Sequence, residues 1–104
     1  MYKDKYLNSI KSSDHFVTHF KNLVQSEPNK KFFCFLNEQG LETDSLTTLQ
    51  LNNEAENIAG YLQDLENYSE TERCILICNP GRDFIVSFLG CLYGNLISVP
   101  CKIY

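Results

Sequence analysis

The most suggestive chemical feature of the sequence is the loop from Asn79 to Arg82, which lies between two apolar stretches. If a strand precedes the loop and a helix follows it, the loop occupies a position where α/β folds often bind ligands. The free N–H groups of a helix N-terminus attract anions there, and Arg82 would add charge, although Asp83 would oppose an anion. The loop has one glycine and lacks the G-x-G-x-x-G and G-x-x-x-x-G-K-[ST] patterns. We interpret it as a structural turn, with phosphate binding as the alternative.

Two histidines form the second candidate group. His15 and His19 are four residues apart on a predicted helix, so both rings can lie on one side. A zinc site would need a third or fourth ligand, and the intervening residues do not complete an H-E-x-x-H motif. We interpret them as two solvent-facing histidines.

The third group comprises five cysteines, Cys34, Cys74, Cys78, Cys91 and Cys101. Their odd number and wide spacing do not resemble a disulfide framework. Cys74 and Cys78 fall on a predicted strand, about 13 Å apart, which is too far for a disulfide or a shared metal. We expect reduced, buried thiols that pack as small apolar side chains. The sequence offers no Cys–His pair or Ser-His-Asp set, so it assigns no catalytic, cofactor-binding or metal-ligating residue.

The first half of the chain predicts a helix and a hairpin. Apolar side chains between residues 13 and 26 recur with the spacing of an amphipathic helix, and Pro28 lies just past its end. The aromatic-rich stretch 31–37 is typical of a strand, and a turn at 38–40 leads to a second short strand over 41–47.

A second helix follows the hairpin. Thr47 and Gln50 form a capping-box pattern at its start. Six apolar residues share one face of this helix: Leu51, Ala55, Ile58, Ala59, Leu62 and Leu65.

Residues 73–100 predict a βαβ unit with parallel strands. The apolar run 74–78 is typical of a strand buried on both faces, and 96–100 forms its partner strand. The intervening helix, 83–93, is apolar on nearly every side and is therefore expected to be buried. Gly90 interrupts this helix, and we attribute it to close packing of the helix against the sheet.

Composition narrows the function classes. The 104 residues are 43% apolar and 21% charged, within the globular range. A net charge of −4 with scattered basic residues argues against nucleic-acid binding. No apolar run approaches the roughly 20 residues of a membrane span, and no signal peptide is apparent. We expect a cytoplasmic protein with no membrane span.

The stretch 73–100, RCILICNPGRDFIVSFLGCLYGNLISVP, resembles part of the fatty-acyl-AMP ligases. In that family an apolar strand runs into a Pro-Pro-Gly-type loop, an Asp-Phe-led helix ends in a G-C-L-Y-A-G-like segment, and a strand closes on Val-Pro. The matching residues are Pro80, Gly81, Asp83, Phe84, Phe88, Gly90, Cys91, Leu92, Tyr93, Val99 and Pro100.

Earlier segments agree in order and spacing. The helix that ends at Glu27-Pro28 resembles the family's opening helix, and FFCFLN resembles its A-F-T-F-L-like strand. The stretch 44–51 resembles the S-L-T-Y-A-E-L segment shared across adenylate-forming enzymes, so the resemblance covers about residues 13–101. Four positions depart from the family pattern: Thr48 replaces Tyr, Asn79 replaces Pro, Arg82 stands for a Leu-like residue, and Asn95 replaces a small apolar residue.

The resemblance implies an α/β fold that is part of the N-terminal subdomain of the adenylate-forming enzymes. Its order would be helix, short β-hairpin, helix and parallel βαβ unit. Residues 1–12 would be a flexible lead-in, and 13–104 a truncated N-terminal part of an AMP-binding domain. Full-length members use ATP and Mg²⁺ to convert fatty acids to acyl adenylates, which they transfer to an acyl carrier protein.

The family's ATP loop, Thr-Glu motif, ribose-binding Asp and catalytic Lys lie downstream of the matched region. The resemblance therefore implies that this chain holds no cofactor and is inactive alone. Its expected partner is the remainder of the enzyme, or another chain, which would cover an exposed sheet. The alternative is a non-enzymatic interaction module or gene remnant that pairs with another chain. A free-standing nucleotide binder using the 79–82 loop is a weaker hypothesis.

Overall fold

The structure of the chain, a computed structural model, describes residues 15–66 and 68–101. The lead-in predicted over residues 1–12 lies outside these residues. A helix, α1, runs through residues 15–26. The elements that follow are β1 (Lys31–Leu36), β2 (Glu42–Thr47), α2 (Thr48–Gln63), β3 (Arg73–Ile77), α3 (Arg82–Tyr93) and β4 (Ile97–Cys101). This order of helix, hairpin, helix and βαβ unit confirms the predicted fold class.

The hairpin of β1 and β2 is antiparallel, with Phe33 opposite Leu46. Its turn is held by Asn37, whose side-chain oxygen accepts hydrogen bonds from the backbone N–H groups of Gln39 at 2.9 Å and Leu41 at 3.0 Å. Gly40 adopts a φ of +79°, a conformation open to glycine at little steric penalty. The predicted strand–turn–strand segment is therefore confirmed, with a specific turn chemistry.

Helix α2 begins at the predicted capping box. The Gln50 N–H donates to the Thr47 hydroxyl at 3.1 Å, and the Thr47 N–H donates to the Gln50 side chain at 3.0 Å. The predicted apolar face is confirmed at its N-terminal end but wrong at Leu65, which is exposed. The helix ends at Gln63, and the Leu65 N–H donates to the Leu62 carbonyl three residues back, so Leu65 has left the helical register.

The βαβ unit has the predicted parallel strands, with Ile75 opposite Val99. Helix α3 ends in a Schellman arrangement: the Leu96 N–H donates to the Cys91 carbonyl at 2.8 Å and the Asn95 N–H to the Leu92 carbonyl at 3.1 Å. Asn95 takes the left-handed conformation, with φ of 60°. Helix α3 therefore ends at Tyr93, just before Gly94 and Asn95, which is the predicted end of the 83–93 helix.

One apolar core joins α1, the hairpin, α2 and α3. Its buried members are Phe20, Val24, Leu46, Leu51, Ala55, Val86 and Leu89. Since these residues come from both halves of the sequence, the hairpin half and the βαβ half are parts of one hydrophobic cluster.

Gly90 allows close approach, but its partner differs from the prediction. A Cβ at position 90 would lie 2.5 Å from Ile58 Cγ2 and 3.3 Å from the Ala55 carbonyl oxygen, both on α2. The expected packing of Gly90 against the sheet is therefore wrong, because the contact is between two helices. Helical periodicity identified the position but could not identify the opposing element.

Among the described residues, side chains cover only one of the two faces of the β3–β4 sheet. Leu76 is buried, whereas Ile75 is 62% exposed, Ile77 66% and Ile97 43%. Burial on both faces of the 74–78 strand is thus not observed, and Phe88 of α3 is also exposed. Alternation along β3 places Ile75 and Ile77 on the side opposite Leu76, which leaves an open apolar face. We call the surface of Ile75, Ile77 and Ile97 the open sheet face.

Within residues 15–66 and 68–101, no helix has both the length and the apolar character needed to cross a bilayer.

We predict that Gly90→Ala destabilises the chain by about 1–3 kcal/mol, because the added methyl group overpacks the α2–α3 contact. Gly60→Ala is the matched control. A Cβ at Gly60 meets nothing within 4 Å, so alanine there should be neutral or stabilising by up to about 1 kcal/mol. Urea unfolding followed by circular dichroism measures both, and equal stability of the Gly90→Ala and parent chains would contradict the packing argument.

We predict that the isolated chain self-associates through the open sheet face, because exposed apolar patches drive association. Replacing Ile75 and Ile77 together by Thr should shift sedimentation toward monomer. The control is Leu36→Thr, which removes a similarly exposed apolar side chain from the hairpin and should leave association unchanged. A parent chain that sediments as a monomer and melts cooperatively would refute this prediction.

Candidate functional site

The 79–82 loop follows the carboxyl end of β3 and leads directly into α3, as predicted. Gly81 precedes the helix with φ of 131°, and no side chain caps the helix start. The first turn closes through the Ile85 N–H, which donates to the Gly81 carbonyl at 3.1 Å. The loop therefore has the expected position for an α/β ligand site, and the surrounding charges determine what it can attract.

Arg82 is held by acceptors on two other elements. Its Nη1 donates to Asp44 Oδ1 at 3.2 Å and to the Ser45 carbonyl at 3.1 Å, both on β2. Its Nη2 donates to Glu54 Oε2 on α2 at 2.8 Å. Hydrogen bonding to Glu54, ahead of the attraction of the Glu54 and Asp44 charges, raises the pKa of Arg82 above its ordinary value.

The charges around the loop do not favour an anion. The single guanidinium of Arg82 is paired with the carboxylates of Asp44 and Glu54, and Asp83 adds another in the first turn of α3. The positive charge of Arg82 is thus already neutralised by these carboxylates and is not available to bind a phosphate. The geometry favours the structural-turn interpretation over phosphate binding. The sequence drew attention to Arg82, but its partners come from distant positions that carry no local signal.

His15 and His19 are both exposed on α1, which confirms the prediction of solvent-facing rings. In the part of the chain that the structure describes, no three His, Cys, Asp or Glu residues are grouped as metal ligands.

The cysteines separate into exposed and buried sets. Cys91 is fully buried, Cys74 and Cys78 are half-buried, and all are free thiols. The expectation of buried thiols is wrong for Cys34 and Cys101, which are exposed. Burial raises the pKa of Cys91 to about 12, and a hydrogen bond with Cys74 adds to the shift. Sequence spacing related Cys74 only to Cys78, because the proximity of Cys91 depends on how α3 folds back over β3.

An open groove of about 490 Å³ lies at the end of the β3–β4 sheet opposite the 79–82 loop. Its lining includes Leu62, Leu65, Tyr68, Cys74 and Leu96. Ligand sites of open α/β sheets lie at the carboxyl ends of the strands, whereas this groove lies near the start of β3. Among the described residues that line it, no nucleophile is paired with a base.

The chain matches no established family model. Similar proteins are nevertheless found by sequence. Human Disco-interacting protein 2 homolog B is 35% identical over 79 residues, which cover 76% of this chain and 5% of that protein. A medium-chain-fatty-acid–[acyl-carrier-protein] ligase, JamA, from Moorena producens is 32% identical over 71 residues, covering 68% of this chain and 12% of that protein.

The solved structures similar to this chain also include fatty acyl-AMP ligases. The fatty acid AMP ligase from Legionella pneumophila superposes with a TM-score of 0.72 and 38% identity, covering 80% of this chain and 14% of that one. A structure from work on fatty acyl-adenylate ligases of E. coli and L. pneumophila superposes with a TM-score of 0.69 and 26% identity, covering 81% of this chain and 15% of that one. The chain therefore spans only a small part of the proteins it matches.

We predict that alkylation by iodoacetamide distinguishes the cysteines. At pH 8, a thiol with a pKa of about 12 is thiolate in roughly one molecule in ten thousand, so folded Cys91 should stay unlabelled. Exposed Cys101 should label readily, and Cys91 should label only after unfolding in urea. Exposed Cys34 should label more slowly than Cys101, because a hydrogen bond with Glu42 raises the pKa of the Cys34 thiol. Peptide mass spectrometry measures the sites, and equal labelling rates of Cys91 and Cys101 in the folded chain would contradict the burial of Cys91.

Proposed function

Because the chain corresponds to the N-terminal segment of the fatty acyl-AMP ligases in both sequence and fold, we propose that it is a structural part of such an enzyme. The observation that carries this proposal is the agreement with the Legionella pneumophila ligase at 38% identity over 80% of the chain. The strand–loop–helix sequence of the βαβ unit is the most specific part of the sequence resemblance. The described residues would supply two small sheets and the helices α1, α2 and α3, on which later parts of the enzyme build.

We further propose that the complete protein activates a fatty acid with ATP and Mg²⁺, forms an acyl adenylate and transfers the acyl group to an acyl carrier protein. The ligases among its structural neighbours and the carrier-protein ligase from Moorena producens support this reaction class.

The segment itself would not perform the chemistry. Acyl adenylation develops negative charge on phosphate groups, which enzymes stabilise with preorganised donors and cations. The cation of the candidate loop, Arg82, is already paired with Asp44 and Glu54. Adenylation by the complete protein would therefore depend on groups other than this guanidinium.

The open sheet face gives the segment its proposed place in the enzyme. Ile75, Ile77 and Ile97 present β-branched side chains with no covering layer among the described residues. Burying them would stabilise the assembled protein by roughly 25 cal/mol for each Å² removed from water. We propose that the remainder of the adenylating domain packs there.

A chimaeric enzyme tests the scaffold role. Residues 15–101 replace the matching segment of the Legionella pneumophila ligase, and pyrophosphate release is measured with ATP, Mg²⁺ and a fatty acid. We expect a folded chimaera that retains adenylation, while the same chimaera carrying Gly90→Val loses stability and activity together. A folded chimaera that binds ATP but does not release pyrophosphate would count against the proposal. Adenylation by the 104-residue chain alone would contradict its proposed inactivity.

A second candidate, an interaction module, is favoured by the match to Disco-interacting protein 2 homologues over 76% of the chain. The open sheet face would then bind another chain instead of a later part of the same one. The reading frame after codon 104 separates the two candidates. A Ser/Gly/Thr-rich loop encoded there would favour the ligase, and its absence would favour the module.

A further inference from the structure

Arg82 lies where two parts of the molecule that are distant in sequence meet. It is the first residue of α3, and its side chain contacts β2 through Asp44 and Ser45 and α2 through Glu54. The guanidinium thus connects the start of the βαβ helix to both the hairpin and the helix that follows it.

The geometry of this contact is directional. A planar guanidinium donates in fixed directions, and here one nitrogen serves β2 while the other serves α2. The Arg82 side chain is 32% exposed, compared with 52% for Lys31 in its ion pair with Glu42. Solvent therefore screens the Arg82 contacts less than those of an ordinary surface pair.

The turn before α3 lacks a local cap. Gly81 occupies the N-cap position without a side chain that could accept from the first free N–H groups. The apolar contact between α2 and α3 stabilises their association, but apolar contacts are not directional. The polar contacts of Arg82 are thus the directional restraint observed at this end of the helix.

We infer that Arg82 is a positioning residue for the 79–82 turn: it fixes the carboxyl end of β3 and the start of α3 relative to the hairpin and α2. The loop it fixes lies at the sheet edge where parallel α/β folds bind ligands. This positioning role of Arg82 depends on the geometry of the described residues and not on whether the complete protein is a ligase.

Amide hydrogen exchange tests the inference at single residues. The reporter is the Ile85 N–H, bonded to Gly81, and the reference is the Asn37 N–H, bonded to Leu41 at 2.9 Å in the hairpin. In Arg82→Met, exchange at Ile85 should be about tenfold faster, the size expected from losing charged hydrogen bonds, while Asn37 stays unchanged. Glu54→Gln should give a smaller change at Ile85.

Lys31→Met is the matched control, because it removes an ion pair with Glu42 at 3.0 Å that lies within the hairpin. It should leave Ile85 exchange unchanged. Unchanged Ile85 exchange in Arg82→Met would overturn the inference, and so would equal acceleration at Ile85 and Asn37, which would indicate a purely global effect. If Arg82→Met does not fold, Glu54→Gln and Asp44→Asn carry the same comparison, since both keep a hydrogen-bond acceptor.

Discussion

The contact between α2 and α3 is the constraint on which the rest of the structure depends. Position 90 must lack a side chain there, because Ile58 occupies the space that a Cβ would need. The contact brings Val86 and Leu89 of α3 into the same core as Leu51 and Ala55 of α2. Without this contact, the core formed by the hairpin and α2 would lose the side chains of α3 that cover it. The βαβ unit would then lose its packing against α2. A small chain has little other apolar surface from which to make up that loss.

Local features of the fold were predictable from the sequence because their causes are local. The Thr47–Gln50 capping box, the hairpin turn and the glycine–asparagine stop of α3 each depend on residues within a few positions of one another. The parallel direction of β3 and β4 was also predictable, since a helix that connects them returns the chain to the same end of the sheet. These elements fix the position of the 79–82 loop in the fold.

Contacts between distant positions were less predictable. The helical pattern marked Gly90 as unusual, but we predicted that it packs against the sheet, whereas it packs against α2. The sequence showed that Arg82 is positively charged but did not reveal Asp44 and Glu54 as its partners. The apolar run of β3 suggested burial on both faces, yet Ile75 and Ile77 are exposed. An apolar run of this kind indicates that a strand is suited to being covered on both faces. The described residues cover only one face of β3.

The one-sided sheet has a consequence for synthesis. If these residues open a longer polypeptide, they leave the ribosome before the segments that would complete the sheet. Translation proceeds at about 5–20 residues per second, so each further hundred residues takes roughly 5–20 s. During that interval the isoleucines of β3 and β4 would face water or the surfaces of chaperones and neighbouring nascent chains. The order of translation, as much as the final packing, then determines how long this segment is at risk of misassembly.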